Sequence, residues 1–128
     1  MPIKVVVVDD NENNLLLEKD LLEVAGFEVV TAVNATDGII LTRQVLPDII
    51  VLDVRLPDMR GSDAAKVLRK DEVTRNIPIV FVTASVMQEG KDEIKTIPNS
   101  TFIGKPINTR TFVNEIKRFY ETGEANYE

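Results

Sequence analysis

The sequence predicts an α/β domain in which five parallel strands form one sheet with helices on both of its faces. Segments with helical periodicity alternate with strand-like segments from one end of the chain to the other. The strand-like segments are continuously apolar, as in Val5–Val8 and Ile49–Leu52, which is typical of parallel strands that are buried on both faces. Crossovers between such strands are right-handed.

The first βα unit is predicted as a strand over Ile3–Val8 and a helix over Asn13–Ala25. An apolar stripe at helical spacing indicates the face of this helix that packs on the sheet, and Gly26 is a typical stop signal. The stripe consists of Leu17, Leu21 and Val24.

The second and third units repeat the alternation. A strand over Phe27–Ala32 leads into a helix that begins at the capping sequence Asn34-Ala35-Thr36-Asp37 and ends before Pro47. The third strand, Ile49–Leu52, is followed by a loop with turn-forming residues and by a helix that begins near Ser62. The apolar residues expected on that helix are Ala65, Val67 and Leu68.

The last two units complete the predicted sheet. A fourth strand over Ile77–Val82 precedes the polar segment Val86–Ile97, which predicts a short helix of low stability. A fifth strand covers Thr101–Gly104, and Asn108 is expected to cap the last helix. The apolar stripe of that helix consists of Phe112, Val113, Ile116, Phe119 and Tyr120.

Length and composition restrict the function. The 128 residues predict one domain over 1–121 with a flexible tail over 122–128. A net charge of -6 argues against direct nucleic-acid binding, and the lack of cysteine and histidine excludes disulfides, thiolate or imidazole metal ligands and histidine catalysis. No apolar run is long enough to span a membrane and the N-terminus lacks signal-peptide features, so a cytoplasmic protein is expected.

Polar residues stand at or just past the ends of four predicted strands. Asp9 and Asp10 follow the first strand, Asp53 the third, Thr83 the fourth and Lys105 the fifth. Parallel strands end at one edge of a sheet, where ligands bind in folds of this class. A carboxylate at the end of a buried strand is costly unless it is paired, metal-bound or reactive, so we expect these residues to form a site.

The set fits phosphoryl transfer to a carboxylate. Asp53 can attack phosphorus, Asp9 and Asp10 can hold Mg²⁺, and Lys105 and Thr83 can contact phosphoryl oxygens. Each residue also has a purely structural explanation, such as a helix cap for the Asp9-Asp10 pair or an Asx turn for Asp53. Their joint occurrence at matching strand ends favours the functional interpretation.

These segments resemble the receiver domain of two-component response regulators over about Ile3–Tyr120. The resemblance is greatest to single-domain regulators of the cell-cycle type and to receivers attached to hybrid kinases, and it implies a flavodoxin-like fold with strand order 2-1-3-4-5. The matching segments are Val8-Asp9-Asp10-Asn11, Leu52–Gly61, Val82-Thr83-Ala84-Ser85 and Gly104-Lys105-Pro106.

The resemblance assigns the site. Asp53 would be the phosphoacceptor, receiving the group from a sensor histidine kinase or a histidine phosphotransfer protein. Asp9, Asp10, Asp53 and the backbone carbonyl of Arg55 would bind Mg²⁺, and Lys105 would pair with the phosphoryl group.

The resemblance also implies a switch and an output surface. Thr83 would move to hydrogen-bond the phosphoryl group, Phe102 would turn inward behind it, and the Lys105-Pro106 peptide would be cis. Since Phe102 has no hydroxyl where tyrosine is common, the switch would act through ring burial. A downstream protein would bind the face of the fourth helix, fifth strand and fifth helix. Catalysis would be limited to self-phosphorylation and self-dephosphorylation, so the protein is not expected to be an enzyme.

Three alternative functions fit the sequence less well. A receiver-like module could bind partners without phosphate, although the complete set of site residues argues against it. A phosphatase with an aspartyl nucleophile would place a second aspartate two residues on, where this chain has Arg55. An FMN carrier is disfavoured because the acidic segment Asp9–Glu12 would repel the phosphate of the cofactor.

Overall fold

The protein contains a five-stranded parallel sheet whose strands, numbered along the chain, lie in the order 2-1-3-4-5, as the resemblance implied. A computed structural model describes residues 2–84 and 94–124. From the first strand the chain moves outward to the second and then crosses back to the third, which lies on the other side of the first. The fourth and fifth strands follow in that same direction. The strands are β1 (Lys4–Val8), β2 (Glu28–Ala32), β3 (Ile49–Asp53), β4 (Ile79–Thr83) and β5 (Ser100–Gly104).

Four helices lie within the described part of the chain and are numbered here in chain order. The helix predicted over Val86–Ile97 falls mostly outside the described residues, so α4 denotes the C-terminal helix. No helix in the described ranges is long and apolar enough to cross a membrane. The helices are α1 (Glu12–Val24), α2 (Ala35–Val45), α3 (Gly61–Lys70) and α4 (Phe112–Thr122).

The core forms two apolar layers, one on each face of the sheet. Alternate strand residues point to opposite faces, so Val6 packs in the layer under α2 and α3 with Leu68, whereas Val7 packs in the layer under α1 and α4 with Leu22. The central strands therefore have no solvated face, which explains their continuous apolar runs.

The predicted apolar stripe of α1 is wrong at Leu17 and Val24, whereas Leu21 packs against the core as predicted. Val24 is 89% exposed and Leu17 is 40% exposed, whereas the buried residues of the helix are Glu18 and Leu22. Leu22 fills the apolar layer, and Glu18, one turn earlier, reaches the end of β1. A glutamate thus faces the protein interior while three apolar residues of the helix, Leu16, Leu17 and Val24, face solvent.

Two stripe residues and one cap also differ from prediction. Val67 of α3 and Tyr120 of α4 are exposed, because each lies at the solvent side of an otherwise buried stripe. The N-cap of α4 is Thr111 rather than Asn108. The Asn108 side chain instead accepts the backbone N–H of Arg110 at 2.9 Å, which closes an Asx turn before the helix begins.

The capping sequence of α2 is confirmed. Asn34 is the N-cap, and its side-chain oxygen accepts the backbone N–H of Asp37 at 2.8 Å. At the other end of the chain, α4 extends to Thr122 and ends at Gly123, whose φ of 71° is left-handed. The division into a domain over 1–121 and a flexible tail over 122–128 stays a prediction.

Candidate functional site

The predicted site residues meet at the carboxyl edge of the sheet because the strands are in parallel register. Val8 pairs with Leu52, so Asp9 and Asp53 follow neighbouring positions of β1 and β3. Thr83 pairs with Gly104, which places Lys105 just beyond the end of β4. A cleft of about 370 Å³ at this edge is lined by Asp10, Asp53, Arg55, Thr83 and Lys105, among others.

Three carboxylates form an acidic cluster in this cleft. Asp9, Asp10 and Asp53 each offer an oxygen, and these oxygens lie within 4.8 Å of one another. Asp9 and Asp53 are buried, whereas Asp10 is exposed. Backbone amides orient the buried pair, since Asn11 N–H donates to Asp9 Oδ1 at 2.9 Å and Arg55 N–H donates to Asp53 Oδ1 at 3.1 Å.

Lys105 supplies the positive charge opposite this cluster. Its Nζ donates to Asp53 Oδ2 at 2.9 Å and to Asp9 Oδ2 at 3.3 Å. Burial acts to lower the pKa of Lys105, but the hydrogen bond and charge of Asp53, with Asp9 beside it, hold that pKa above its ordinary value. Burial raises the pKa of Asp53 against the opposing hydrogen bond from Lys105. One ammonium therefore only partly compensates the charge of the acids.

Thr83 and Phe102 lie on adjacent strands behind the cleft. Thr83 is buried at the end of β4, and its carbonyl oxygen accepts the Lys105 N–H at 2.8 Å. Phe102 of β5 is half-buried, pairs in register with Phe81 and packs against the apolar layer under α2 and α3. The peptide bond between Lys105 and Pro106 is cis.

Gly61 allows α3 to begin directly behind the acidic cluster. Its N–H donates to the carbonyl oxygen of Val54 at 2.8 Å. A Cβ atom at this position would overlap the backbone carbonyl oxygen of Asp53 and lie 3.0 Å from the Cα of Val54. Any larger residue would displace the backbone that presents Asp53.

Sequence reasoning missed Glu18, whose carboxyl group reaches this site from α1. It is only 2% exposed, and its Oε2 atom has no hydrogen-bond partner among the described residues. Burial, and then the charge of Asp9, raise the pKa of Glu18 to about 8. The spacing from Glu18 to Leu22 places both on one helical face, so a signal was present, but the predicted buried face included only apolar residues.

Asp58 was also missed as a structural link between the loop after β3 and helix α2. Its carboxylate accepts the N–H groups of Ala35 and Thr36 at 2.8 and 2.7 Å and the Thr36 hydroxyl at 2.5 Å. These bonds, the Thr36 hydroxyl first, lower the pKa of Asp58 to about 2. The loop that follows Asp53 is thereby attached to the N-terminus of α2.

Comparison with known proteins identifies the class of protein that this fold and site define. Residues 5–117 match the response regulator receiver domain family, and the chain belongs to that family. It is 35% identical over 119 residues to the polar-differentiation response regulator DivK of Brucella anthropi, covering 93% of this chain and 97% of that protein.

Solved structures agree with this assignment. A chemotaxis response regulator of Vibrio cholerae superposes with a TM-score of 0.87 at 28% identity, covering 92% of this chain and 98% of that one. The receiver domain of a sensor histidine kinase from Pseudomonas aeruginosa, which has a magnesium ion in its active-site cleft, shares the fold with a TM-score of 0.85 at 22% identity. That alignment covers 95% of this chain and 100% of the other.

Proposed function

We propose that this receiver accepts a phosphoryl group on Asp53 from a phosphohistidine of a sensor kinase or a phosphotransfer protein, in a Mg²⁺-dependent reaction in the cytoplasm. The observation that carries the proposal is the contact of 2.9 Å between Lys105 Nζ and Asp53 Oδ2 at the edge of a three-carboxylate cluster. A buried nucleophile with a cation beside it and acids for a metal is the arrangement that acyl-phosphate formation requires.

The donor set fits Mg²⁺. Asp9, Asp10 and Asp53 offer carboxylate oxygens within 4.8 Å of one another, and Mg²⁺ binds through few carboxylates while keeping several waters. The backbone carbonyl of Arg55, which lines the same cleft, would complete the protein ligands. When bound, the ion would neutralise phosphoryl charge that Lys105 alone leaves uncompensated.

The residues of the chain would divide the transfer between them. A carboxylate oxygen of Asp53 forms the new O–P bond while the P–N bond of the phosphohistidine breaks and the imidazole leaves. The backbone N–H of Arg55 restrains Asp53 Oδ1 and so orients the carboxylate for attack. Lys105 then transfers its contact from the carboxylate to a phosphoryl oxygen, which stabilises the charge of the product.

The phosphoryl group would act as a signal through Thr83 and Phe102. It adds roughly −1.5 to −2 charge and three acceptor oxygens, which the Thr83 hydroxyl at the end of β4 can approach. Movement of Thr83 would open space for the half-buried ring of Phe102 on the adjacent strand. A change on β5 and α4 would alter the binding of a downstream protein. The proposed function includes no turnover of an external substrate.

Intact-mass spectrometry after incubation with acetyl phosphate and Mg²⁺ tests the acceptor and the metal together. We expect the mass of one phosphoryl group in the wild-type protein and in the control Asp20→Asn, whose carboxylate is exposed on α1. The adduct should be absent from Asp53→Asn and from samples with EDTA. An adduct that persists in Asp53→Asn would contradict the assignment of the acceptor, and lack of any adduct would favour a module that binds partners independently of phosphate.

Two further measurements address the switch and the alternative enzyme. Phosphorylated and unphosphorylated protein should differ in amide exchange across residues 83–120, and Thr83→Ala should reduce that difference while still accepting phosphate. Identical exchange in both states would rule out the switch. Hydrolysis of a chromogenic phosphate ester with repeated turnover would instead support a phosphatase.

A further inference from the structure

Helix α3 ends in a cluster of cations at the edge of the sheet opposite the acidic cluster. Lys66, Arg69 and Lys70 share one face of the helix, because residues three and four positions apart are neighbours on a helix surface. Together with residues 96–98, which precede β5, they line a cavity of about 190 Å³. In a protein with a net charge of -6, these three cations concentrate positive charge around a concave surface.

Arg69 is the anchored cation of this cluster. Its Nε donates to the carbonyl oxygen of Pro98 at 2.9 Å, and its Nη2 donates to that of Asn99 at 3.0 Å. These two bonds fix the guanidinium against the turn before β5. Its Nη1 atom is buried and has no acceptor among the described residues. A buried donor without an acceptor is costly, so the guanidinium keeps hydrogen-bonding capacity that the described part of the chain does not use.

No carboxylate among the described residues balances the charge of Arg69. The acids on either side of it in the chain are paired with other cations, since Asp63 contacts Arg60 at 3.2 Å and Asp71 contacts Arg43 at 2.9 Å. Burial lowers the pKa of Arg69, and no acidic group in the described ranges counteracts this effect. Cations in the last turn of a helix complement its macrodipole, which accounts for the charge of Arg69 but not for its burial without a counter-ion.

We propose that this cavity binds the phosphate or diphosphate group of a soluble small molecule, with the half-buried Arg69 at its inner wall and the exposed Lys66 and Lys70 at its rim. Guanidinium and ammonium groups are the usual protein partners of phosphate. A single carboxylate would offset only one of the three positive charges, whereas a phosphate monoester carries roughly −1.5 to −2 charge and a diphosphate carries more. The site lies away from Asp53 and does not depend on the proposed phosphoryl transfer.

NMR titration of the isotope-labelled protein with inorganic pyrophosphate, in metal-free buffer at constant ionic strength, tests this site. We expect saturable shifts of the backbone amides of residues 66–70 and 94–97. Lys70→Gln should weaken binding several-fold, as an exposed ion pair would. Arg69→Gln should weaken it by about 10-fold or more, because hydrogen bonds from a buried charged group contribute more. The control Arg110→Gln removes an exposed charge from the loop before α4 and should bind pyrophosphate as the wild type does.

Urea unfolding checks that each variant is folded, because Arg69 also holds the turn before β5. Should Arg69→Gln not fold, the double variant of Lys66→Gln and Lys70→Gln takes its place, since both lysines are exposed. Wild-type affinity in that double variant would overturn the site. Shifts confined to the residues around Asp53 and Lys105 would place the anion at the acidic cluster instead, and would also overturn it.

Three parallel measurements identify the chemistry of the ligand. Acetate at the same ionic strength should bind much more weakly than pyrophosphate, and equal affinity would overturn the assignment to phosphate. A peptide of glutamates that binds more tightly than pyrophosphate would assign the surface to an acidic protein partner. Co-sedimentation with vesicles that contain phosphatidic acid, without binding of pyrophosphate, would assign it to a lipid headgroup. Either of the last two results would overturn the soluble ligand.

Discussion

Lys105 reaches past the end of β4 to place its ammonium 2.9 Å from Asp53 Oδ2, although β5 and β3 are not neighbours in the sheet. The same ammonium lies 3.3 Å from Asp9, which follows β1. A single side chain thus connects the ends of three strands at the edge of the sheet. This ammonium is in direct contact with both buried acids.

Replacement of Lys105 by methionine should destabilise the metal-free protein at neutral pH. The change leaves Asp9 and Asp53 buried without their cation, and breaking a buried ion pair costs about 3–5 kcal/mol. Because the Lys105 side chain is 18% exposed, we expect a smaller loss of about 1–3 kcal/mol in the free energy of unfolding. Urea denaturation in EDTA measures it, with the exposed Lys70→Met as control. Added Mg²⁺ should reduce the difference in the free energy of unfolding between the wild type and Lys105→Met. An equal difference with and without Mg²⁺ would show that charge compensation is not the cause.

Gly61→Ala should impair both stability and phosphorylation. The added methyl group would overlap the carbonyl oxygen of Asp53, so the backbone of this proposed phosphoacceptor must shift. Overpacking of this kind typically destabilises by about 1–3 kcal/mol. Gly104→Ala is the matched control, since nothing lies within 4 Å of a Cβ at that position next to Lys105. Urea unfolding and the rate of adduct formation with acetyl phosphate should separate the two variants, and equal behaviour would contradict the steric argument.

Gly38→Ala should destabilise although alanine is the better helix former. Alanine gains about 1 kcal/mol over glycine within a helix, but here its Cβ would lie 2.7 Å from Cγ2 of Val8. We expect the free energy of unfolding of Gly38→Ala to be lower than that of the wild type by about 1–2 kcal/mol. Val8→Ala removes the atom that clashes, so in a double-mutant cycle the combined loss should be smaller than the sum of the single losses. Strict additivity would show that α2 tolerates the methyl group by moving away from β1.

Asp58→Ala should lower the melting temperature in a pH-dependent manner. The pKa of Asp58 is lowered from 3.8 to about 2, so its ionised form stabilises the folded protein above pH 3.8 and that contribution is lost as the pH falls toward 2. The difference in melting temperature between wild type and Asp58→Ala should therefore be constant at higher pH and decrease below pH 3.8. Asp58→Asn keeps one acceptor oxygen, so its melting temperature at neutral pH should fall less than that of Asp58→Ala. A difference that does not change with pH would exclude the carboxylate as the cause.

Local patterns in the sequence were sufficient to predict the sheet. Runs such as Val5–Val8 and Ile49–Leu52 are apolar without alternation because both faces of their strands are covered. Parallel register then places the residues that follow the strands at one edge, so Asp9, Asp53 and Lys105 could be grouped before any contact was known. Strand order came from the family resemblance, since pairing between distant strands leaves no local signal.

The surroundings of the acidic cluster were less predictable because they depend on tertiary contacts. The burial of Glu18 was not predicted, because it depends on how α1 is rotated against the end of β1. Asp58 was interpreted as an ordinary turn residue, whereas its partners Ala35 and Thr36 lie 23 and 22 positions earlier in the chain. Asparagine is favoured both at helix N-caps and in Asx turns, and local propensity does not distinguish the two. Asn108 closes a turn ahead of the helix.

The separation of 96 positions between Lys105 and Asp9 has a consequence for protein synthesis. A ribosome produces Asp53 52 residues before the lysine that contacts it, and the contact forms only after β5 has paired with β4. Pairings between distant segments form slowly compared with local structure. A nascent or partly unfolded chain therefore presents the Asp53 carboxylate without the Lys105 ammonium beside it. Under the proposed chemistry, incomplete molecules do not accept a phosphoryl group from the kinase. Only molecules with a complete fold would then receive the signal.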